Sequence, residues 1–85
     1  MSNRGENDIA VRVIGILKEH VATEAEITPD TDMENDLSID SLKSMEILAS
    51  VEDAFDITIP INVLGQIRTV RDLADQISRQ LAEQE

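Results

Sequence analysis

Cysteine, tryptophan and tyrosine are absent from this 85-residue chain, and phenylalanine occurs once. The lack of cysteine excludes disulfides, thiol catalysis and thiolate metal sites. With a single aromatic ring, stacking on bases or sugars is not available as a binding strategy. No apolar run approaches the roughly 20 residues that cross a bilayer. No positively charged n-region precedes a signal-type segment either. A cytoplasmic chain without a membrane span is the expectation. Positive charge is also scarce, with seven Lys and Arg against 18 Asp and Glu, a formal net charge of −11.

The charge is uneven. Twelve of the 18 acids lie between Glu19 and Ile67, and Lys43 is the only base in that stretch. Nucleic acid is excluded as a partner, because binding it needs a positive face. A basic protein surface, attracted by long-range steering, is the expected partner. The length suits one domain with a modest core. The expectation is a single domain over residues 1–85 with an ordered core over 8–81.

Residues Met1 to Glu6 are polar and read as loose, with Asn7 or Asp8 capping a first helix. Ile9, Val13, Ile16 and Leu17 then recur at i, i+4, i+7 and i+8, one helical face running to about His20 or Val21. Arg12, Lys18 and Glu19 fall on the polar side, and His20 reads as solvent-facing at the helix end. From Ala22 to Asp40 the period disappears. Thr28-Pro29-Asp30-Thr31-Asp32 is turn chemistry. A connection this long normally has a job, and Ile27, Met33 and Leu37 are the candidate anchors.

A second helix starts at Asp40 or Ser41. Leu42, Met45, Leu48, Ala49, Glu52 and Phe55 follow at helical spacing, with Ile47 and Val51 broadening the stripe. Met45 and Phe55 read as core residues rather than ligand contacts. Ile57-Thr58-Ile59 reads as a loop with buried isoleucines. Pro60 suits the first position of a short third helix carrying Ile61, Val63, Leu64 and Ile67, which Gly65 would end. Thr69-Val70-Arg71-Asp72 is a capping-box-like start, with Asp in place of the preferred Glu. The fourth helix carries Val70, Leu73, Ala74, Ile77 and Leu81 on one face, and Ala82 to Glu85 should fray. The expected fold is all-α: a small four-helix bundle with a long first loop and a short third helix.

The chemistry points to Asp40-Ser41-Leu42, where the acidic, turn-rich stretch meets the second helix. If Asp40 caps that helix, Ser41 is its first residue and the hydroxyl is free. Backbone N–H groups and the helix dipole make that threshold a good place for a phosphate. Ser41 has no evident general base, because His20, the only histidine, lies near the end of the first helix. A Ser-His-Asp hydrolase is therefore not expected.

The run Asn35-Asp36-Leu37-Ser38-Ile39-Asp40-Ser41-Leu42-Lys43-Ser44-Met45-Glu46 resembles the attachment segment of the acyl carrier protein family. Phe55-Asp56-Ile57-Thr58-Ile59-Pro60 adds a second match, and the likeness spans about Asp8 to Leu81. The resemblance implies that a phosphopantetheinyl transferase esterifies Ser41 with 4′-phosphopantetheine from coenzyme A. It implies that the arm's thiol carries acyl groups as thioesters to enzymes of fatty-acid, lipid or polyketide-type biosynthesis. Asp40 and Leu42 match the residues flanking the serine. Met45, Glu46, Glu52 and Asp53, with Lys43 among them, fall at positions that meet partners with basic docking surfaces. Leu48, Ile59, Val63 and Leu64 would line a pocket for the acyl chain. Such carriers need no fixed partner subunit, so a monomer is expected.

Three departures bear on partners. Ser38 replaces the glycine usual in the family's Asp-Leu-Gly run. Lys43 stands where an acidic or neutral residue is common. Ile61, Asn62 and Val63 replace acids that often open the third helix. Together they imply a specialised carrier with dedicated partners. Two other readings stand beside it: an aminoacyl or peptidyl carrier, and an unmodified acidic protein-interaction module. A calcium-binding loop starting at Asp30 fails, because Asn35 and Ser41 occupy the positions that need glycine and glutamate. No metal ligand is assigned.

Overall fold

The computed structural model describes the backbone of residues 4–83 and the side chains of residues 8–83. Among the described residues, three α-helices and one 3-10 helix follow one another: α1 (Arg4–His20), α2 (Ser41–Phe55), the 3-10 helix (Ile61–Gln66) and α3 (Val70–Glu83). This is the expected all-α arrangement, with a long first loop and a short third helix. Met1 to Asn3, expected to be loose, and Gln84 and Glu85, expected to fray, lie outside the described residues. Ala82 and Glu83 are still helical.

The start of α1 differs from expectation. The helix begins at Arg4, so Asn7 and Asp8 lie inside its first turns rather than capping it. No proline interrupts this stretch, and a glycine such as Gly5 weakens a helix without forbidding it.

One core joins all the elements. Ile9, Val13 and Leu17 of α1 meet Ile47, Leu48, Val51 and Phe55 of α2 and Val70, Leu73, Ala74 and Ile77 of α3. Val13, Leu17, Val51, Val70 and Ile77 are fully buried, each worth about 1.5–3 kcal/mol in apolar transfer. α1 packs against both α2 and α3. Arg12 also joins α1 to the last turn of α2. Its Nη2 donates to the Ala54 carbonyl at 2.9 Å, and its guanidinium lies 4.2 Å from the centre of the Phe55 ring. This places a cation at the negative end of the α2 dipole. His20 is not solvent-facing as expected. It is half-buried, with Nε2 at 2.9 Å from the Ser50 hydroxyl of α2.

The buried stripe of α2 is rotated from the one the spacing suggested. Ile47, Leu48, Val51 and Phe55 face the core. Leu42, Met45 and Ala49 are exposed, so Met45 is not a core residue. Apolar and small side chains run nearly round this helix, and only packing against α1 and α3 selects one face.

The loop over residues 21–40 is held at its middle by the start of α3. Val70 and Arg71 donate their backbone N–H groups to the carbonyls of Thr31 at 3.1 Å and Pro29 at 2.8 Å. Met33 in turn donates to the Arg68 carbonyl at 2.9 Å. The first N–H groups of a helix have no partner within it, so the loop satisfies donors that would otherwise need water. Buried Ile27 and Leu37 and half-buried Met33 act as the expected anchors, and Ile39 is a further one.

The third helix is a 3-10 helix. Pro60 is its N-cap rather than its first residue, and Gly65 lies inside it at negative φ rather than ending it in a left-handed cap. Its ends are pinned by buried Ile59 and Val70. A 3-10 helix rises about 2.0 Å per residue against about 1.5 Å for an α-helix, so six residues reach further between two fixed points.

Candidate functional site

Asp40 is the N-cap of α2. It has an extended backbone, and Oδ1 accepts the Lys43 N–H at 2.8 Å. The Asp40 carbonyl accepts the Ser44 N–H at 2.8 Å, the first bond of the helix. Ser41 is therefore the first helical residue. It is exposed, and its hydroxyl has no hydrogen-bond partner among the described residues. The side chain that caps the helix is the neighbour's, which leaves the Ser41 oxygen available.

The approach to this threshold is set by two residues upstream. Ser38 adopts φ 56°, the left-handed region that favours glycine. The next residue, Ile39, is buried and donates its N–H to the Met33 carbonyl at 3.2 Å. The turn at Ser38 and the anchoring of Ile39 together deliver Asp40 to the cap. Ile39 stood in the quoted motif, but its role as an anchor carried no periodic signal.

A groove of about 1150 Å³ opens beside Ser41. Asp40, Ser41, Ser44 and Met45 at the start of α2 line it, as do Ile61, Leu64 and Ile67 at the 3-10 helix. Leu48 and Leu64, two of the residues expected around an acyl chain, are on the lining. Ile59 is buried and Val63 half-buried, and neither belongs to the lining. Met33, Ile39, Ile47 and Leu73 line it without having been singled out for a pocket.

The expected docking residues divide. Met45 is 50% exposed, and Leu42, expected to flank the serine rather than to dock, is 70% exposed. Asp53 is exposed. Lys43 and Glu46 form an ion pair at 3.5 Å. Glu52 is half-buried, and its Oε2 accepts the Ile59 N–H at 2.8 Å. That carboxylate oxygen holds the α2 exit in place.

Two carboxylates, Asp72 on the groove lining and Asp32 in the long loop, are held below the usual range. Asp72 is lowered first by the Thr69 N–H and next by that of Arg68, at 3.1 and 3.0 Å. The Thr69 hydroxyl accepts the Asp72 N–H at 3.1 Å, which completes the expected capping box. Asp32 is lowered first by the Asn35 N–H at 2.9 Å. No group of three or more potential ligands could hold a metal among the described residues.

The site thus offers one exposed hydroxyl at the start of a helix and nothing to activate it. His20 is engaged with Ser50. An unbonded oxygen beside a helix N-terminus fits the attachment of a phosphate-linked group. The family described as "Phosphopantetheine attachment site" matches residues 8–77. An acyl carrier protein of Syntrophobacter fumaroxidans is 34% identical over 73 residues, covering 85% of this chain and 90% of its own length. The mitochondrial acyl carrier protein of Saccharomyces cerevisiae is 32% identical over 83 residues, covering 91% of this chain and 66% of its own length. A crystal structure of a mitochondrial acyl carrier protein of Toxoplasma shares the fold with a TM-score of 0.80. It is 24% identical, with 91% of each chain covered.

The chain belongs to the phosphopantetheine-attachment family, as one of its acyl carrier proteins. It bears a 4′-phosphopantetheine prosthetic group and is a carrier rather than an enzyme. Its partners are acyl-handling enzymes. No helix among the described residues is long and apolar enough to cross a membrane.

Proposed function

We propose that Ser41 is the residue that bears the prosthetic group. The observation that carries this reading is the exposed, unbonded hydroxyl at the first position of α2, beside Asp40 as cap and opening onto the groove. Loading forms a bond between the Ser41 oxygen and the phosphorus of the pantetheine arm, and the pyrophosphate linkage of coenzyme A breaks, releasing adenosine 3′,5′-bisphosphate. Among the described residues no base stands free at Ser41, so a phosphopantetheinyl transferase supplies the one that takes the hydroxyl proton. When bound, the arm supplies a thiol on which acyl groups ride as thioesters, which a chain without cysteine lacks.

Leu42, Met45, Glu46 and Asp53 form the surface that meets basic docking faces, and Lys43 sits within it. Leu48 and Leu64 contribute to shelter for the acyl chain. The departures at Ser38, Lys43 and Ile61-Asn62-Val63 favour a specialised carrier in fatty-acid, lipid or polyketide-type biosynthesis. We take it to act as a monomer in the cytoplasm, as a single carrier domain over 1–85. The mitochondrial relatives make an organelle the competing location.

The test is intact-mass measurement after incubation with coenzyme A and a phosphopantetheinyl transferase. One covalent phosphopantetheine is expected on the wild-type chain and none on Ser41→Ala. A loaded Ser41→Ala protein would move the attachment elsewhere.

A further inference from the structure

Lys43 is the only Lys or Arg between Glu19 and Ile67, and it lies two residues from Ser41. Nothing local to the helix explains it. As the third residue of α2 it sits at the positive end of the helix dipole, where an acid is favoured and a lysine is not. Its ion pair with Glu46 joins side chains that are 40% and 48% exposed, the kind of contact that contributes little. A lysine preceding its glutamate is also the less favourable order on a helix.

What Lys43 does change is the charge pattern beside the serine. Asp40, Lys43 and Glu46 follow one another at spacings of three, which puts neighbours on one helix face. The pattern reads negative, positive, negative, with exposed Leu42 and Met45 beside it. A uniformly cationic partner face would meet Asp40 and Glu46 favourably and would be repelled by Lys43. A face that sets a carboxylate between two cations would match all three residues.

We propose that Lys43 is a specificity-determining residue of the docking face, selecting partners that carry a carboxylate opposite it. This rests on the reading of Ser41 as the attachment residue. In the free protein, Lys43 pairs with Glu46. On docking, the partner carboxylate takes over that contact and Glu46 turns to a partner cation. Discrimination of this kind works as much by repelling wrong partners as by attracting the right one.

The test uses the full chain, a phosphopantetheinyl transferase with a basic docking face, and single Lys or Arg→Glu variants of that face. The readout is kcat/KM for arm transfer. With the unaltered transferase, Lys43→Glu should raise kcat/KM about tenfold and Lys43→Gln about threefold at low salt, and both gains should vanish near 0.5 M salt as screening sets in. One of the charge-reversed transferases should invert the order, loading wild type faster than Lys43→Glu. Far-UV circular dichroism checks that the variants stay helical. Variants within twofold of wild type, gains that survive high salt, or no charge-reversed transferase that inverts the order would each overturn the proposal. If no form of the chain is loaded, the Ser41 reading falls with it. If all load at equal rates, Ser41 stands and only the role of Lys43 falls.

Discussion

The carboxylate of Glu52, in the last turns of α2, accepts the backbone N–H of Ile59 at 2.8 Å. Seven residues separate the two, and the chain between them leaves the helix through Asp56 in a left-handed C-cap. The bond fixes the exit that carries buried Ile57 and Ile59 and leads into the 3-10 helix, which contributes to the lining of the groove.

Glu52 is therefore expected to matter more for stability than for docking. Glu52→Ala should cost about 1.5–3 kcal/mol, the usual range for a hydrogen bond to a charged group. Asp53→Ala, at an exposed neighbour, should stay within about 0.5 kcal/mol of wild type. Urea unfolding of both variants separates the roles. Equal midpoints would show that the Ile59 contact contributes nothing.

Ser38 sits at φ 56° without the freedom of a glycine. Ser38→Gly should stabilise the fold by about 0.5–1 kcal/mol, since the relief of left-handed strain exceeds the added entropy of the unfolded chain. The expected signature is a higher urea midpoint with an unchanged slope. A lower midpoint would mean that the serine side chain contributes more than the strain costs.

The capping box of α3 joins Thr69 and Asp72 in both directions. Thr69→Ala should cost about 0.5–2 kcal/mol. Asp72 has its pKa lowered in the folded state by the N–H groups of Thr69 and Arg68. A carboxyl lowered on folding adds stability above its unfolded pKa of about 3.9, and that stability is lost as pH falls through the folded pKa. Asp32, lowered first by the Asn35 N–H, acts in the same sense. Stability should thus decline below about pH 4, and Asp72→Asn should flatten that decline. An acid limb of unchanged steepness in Asp72→Asn would refute the assignment.

The acid surplus should make the fold sensitive to salt. Carboxylates between Glu19 and Ile67 repel one another with few cations among them. Added sodium chloride should raise the Tm, by about 4–8 °C for each 1 kcal/mol of repulsion screened. A flat response from low to high salt would show that the existing pairs, such as Arg71 with Asp30, already balance the charge.

Local chemistry made several features legible. The Ile9, Val13, Leu17 spacing marked the buried face of α1, and all three are in the core. Thr69 and Asp72 marked the start of α3, because a capping box is closed by residues three apart. Asp40 as cap and Ser41 as first helical residue followed from the same short-range logic. Features set by distant partners were not legible. The face of α2 was misread at Leu42, Met45 and Ala49, since its apolar residues run nearly all round and α1 and α3 make the choice. His20 gave no sign of Ser50, 30 residues away. Glu52 reads as a docking acid in the sequence, and its bond to Ile59 left no mark there.

The residue types along the chain were enough to set a small acidic helical bundle with a serine at a helix threshold, because periodicity and capping act within a few residues. The packed chain alone settled which sides of those helices are covered. It also settled how the long loop is tied to α3 and that the third helix winds as 3-10. Each of those outcomes depends on groups far apart in sequence that meet only once the core has closed.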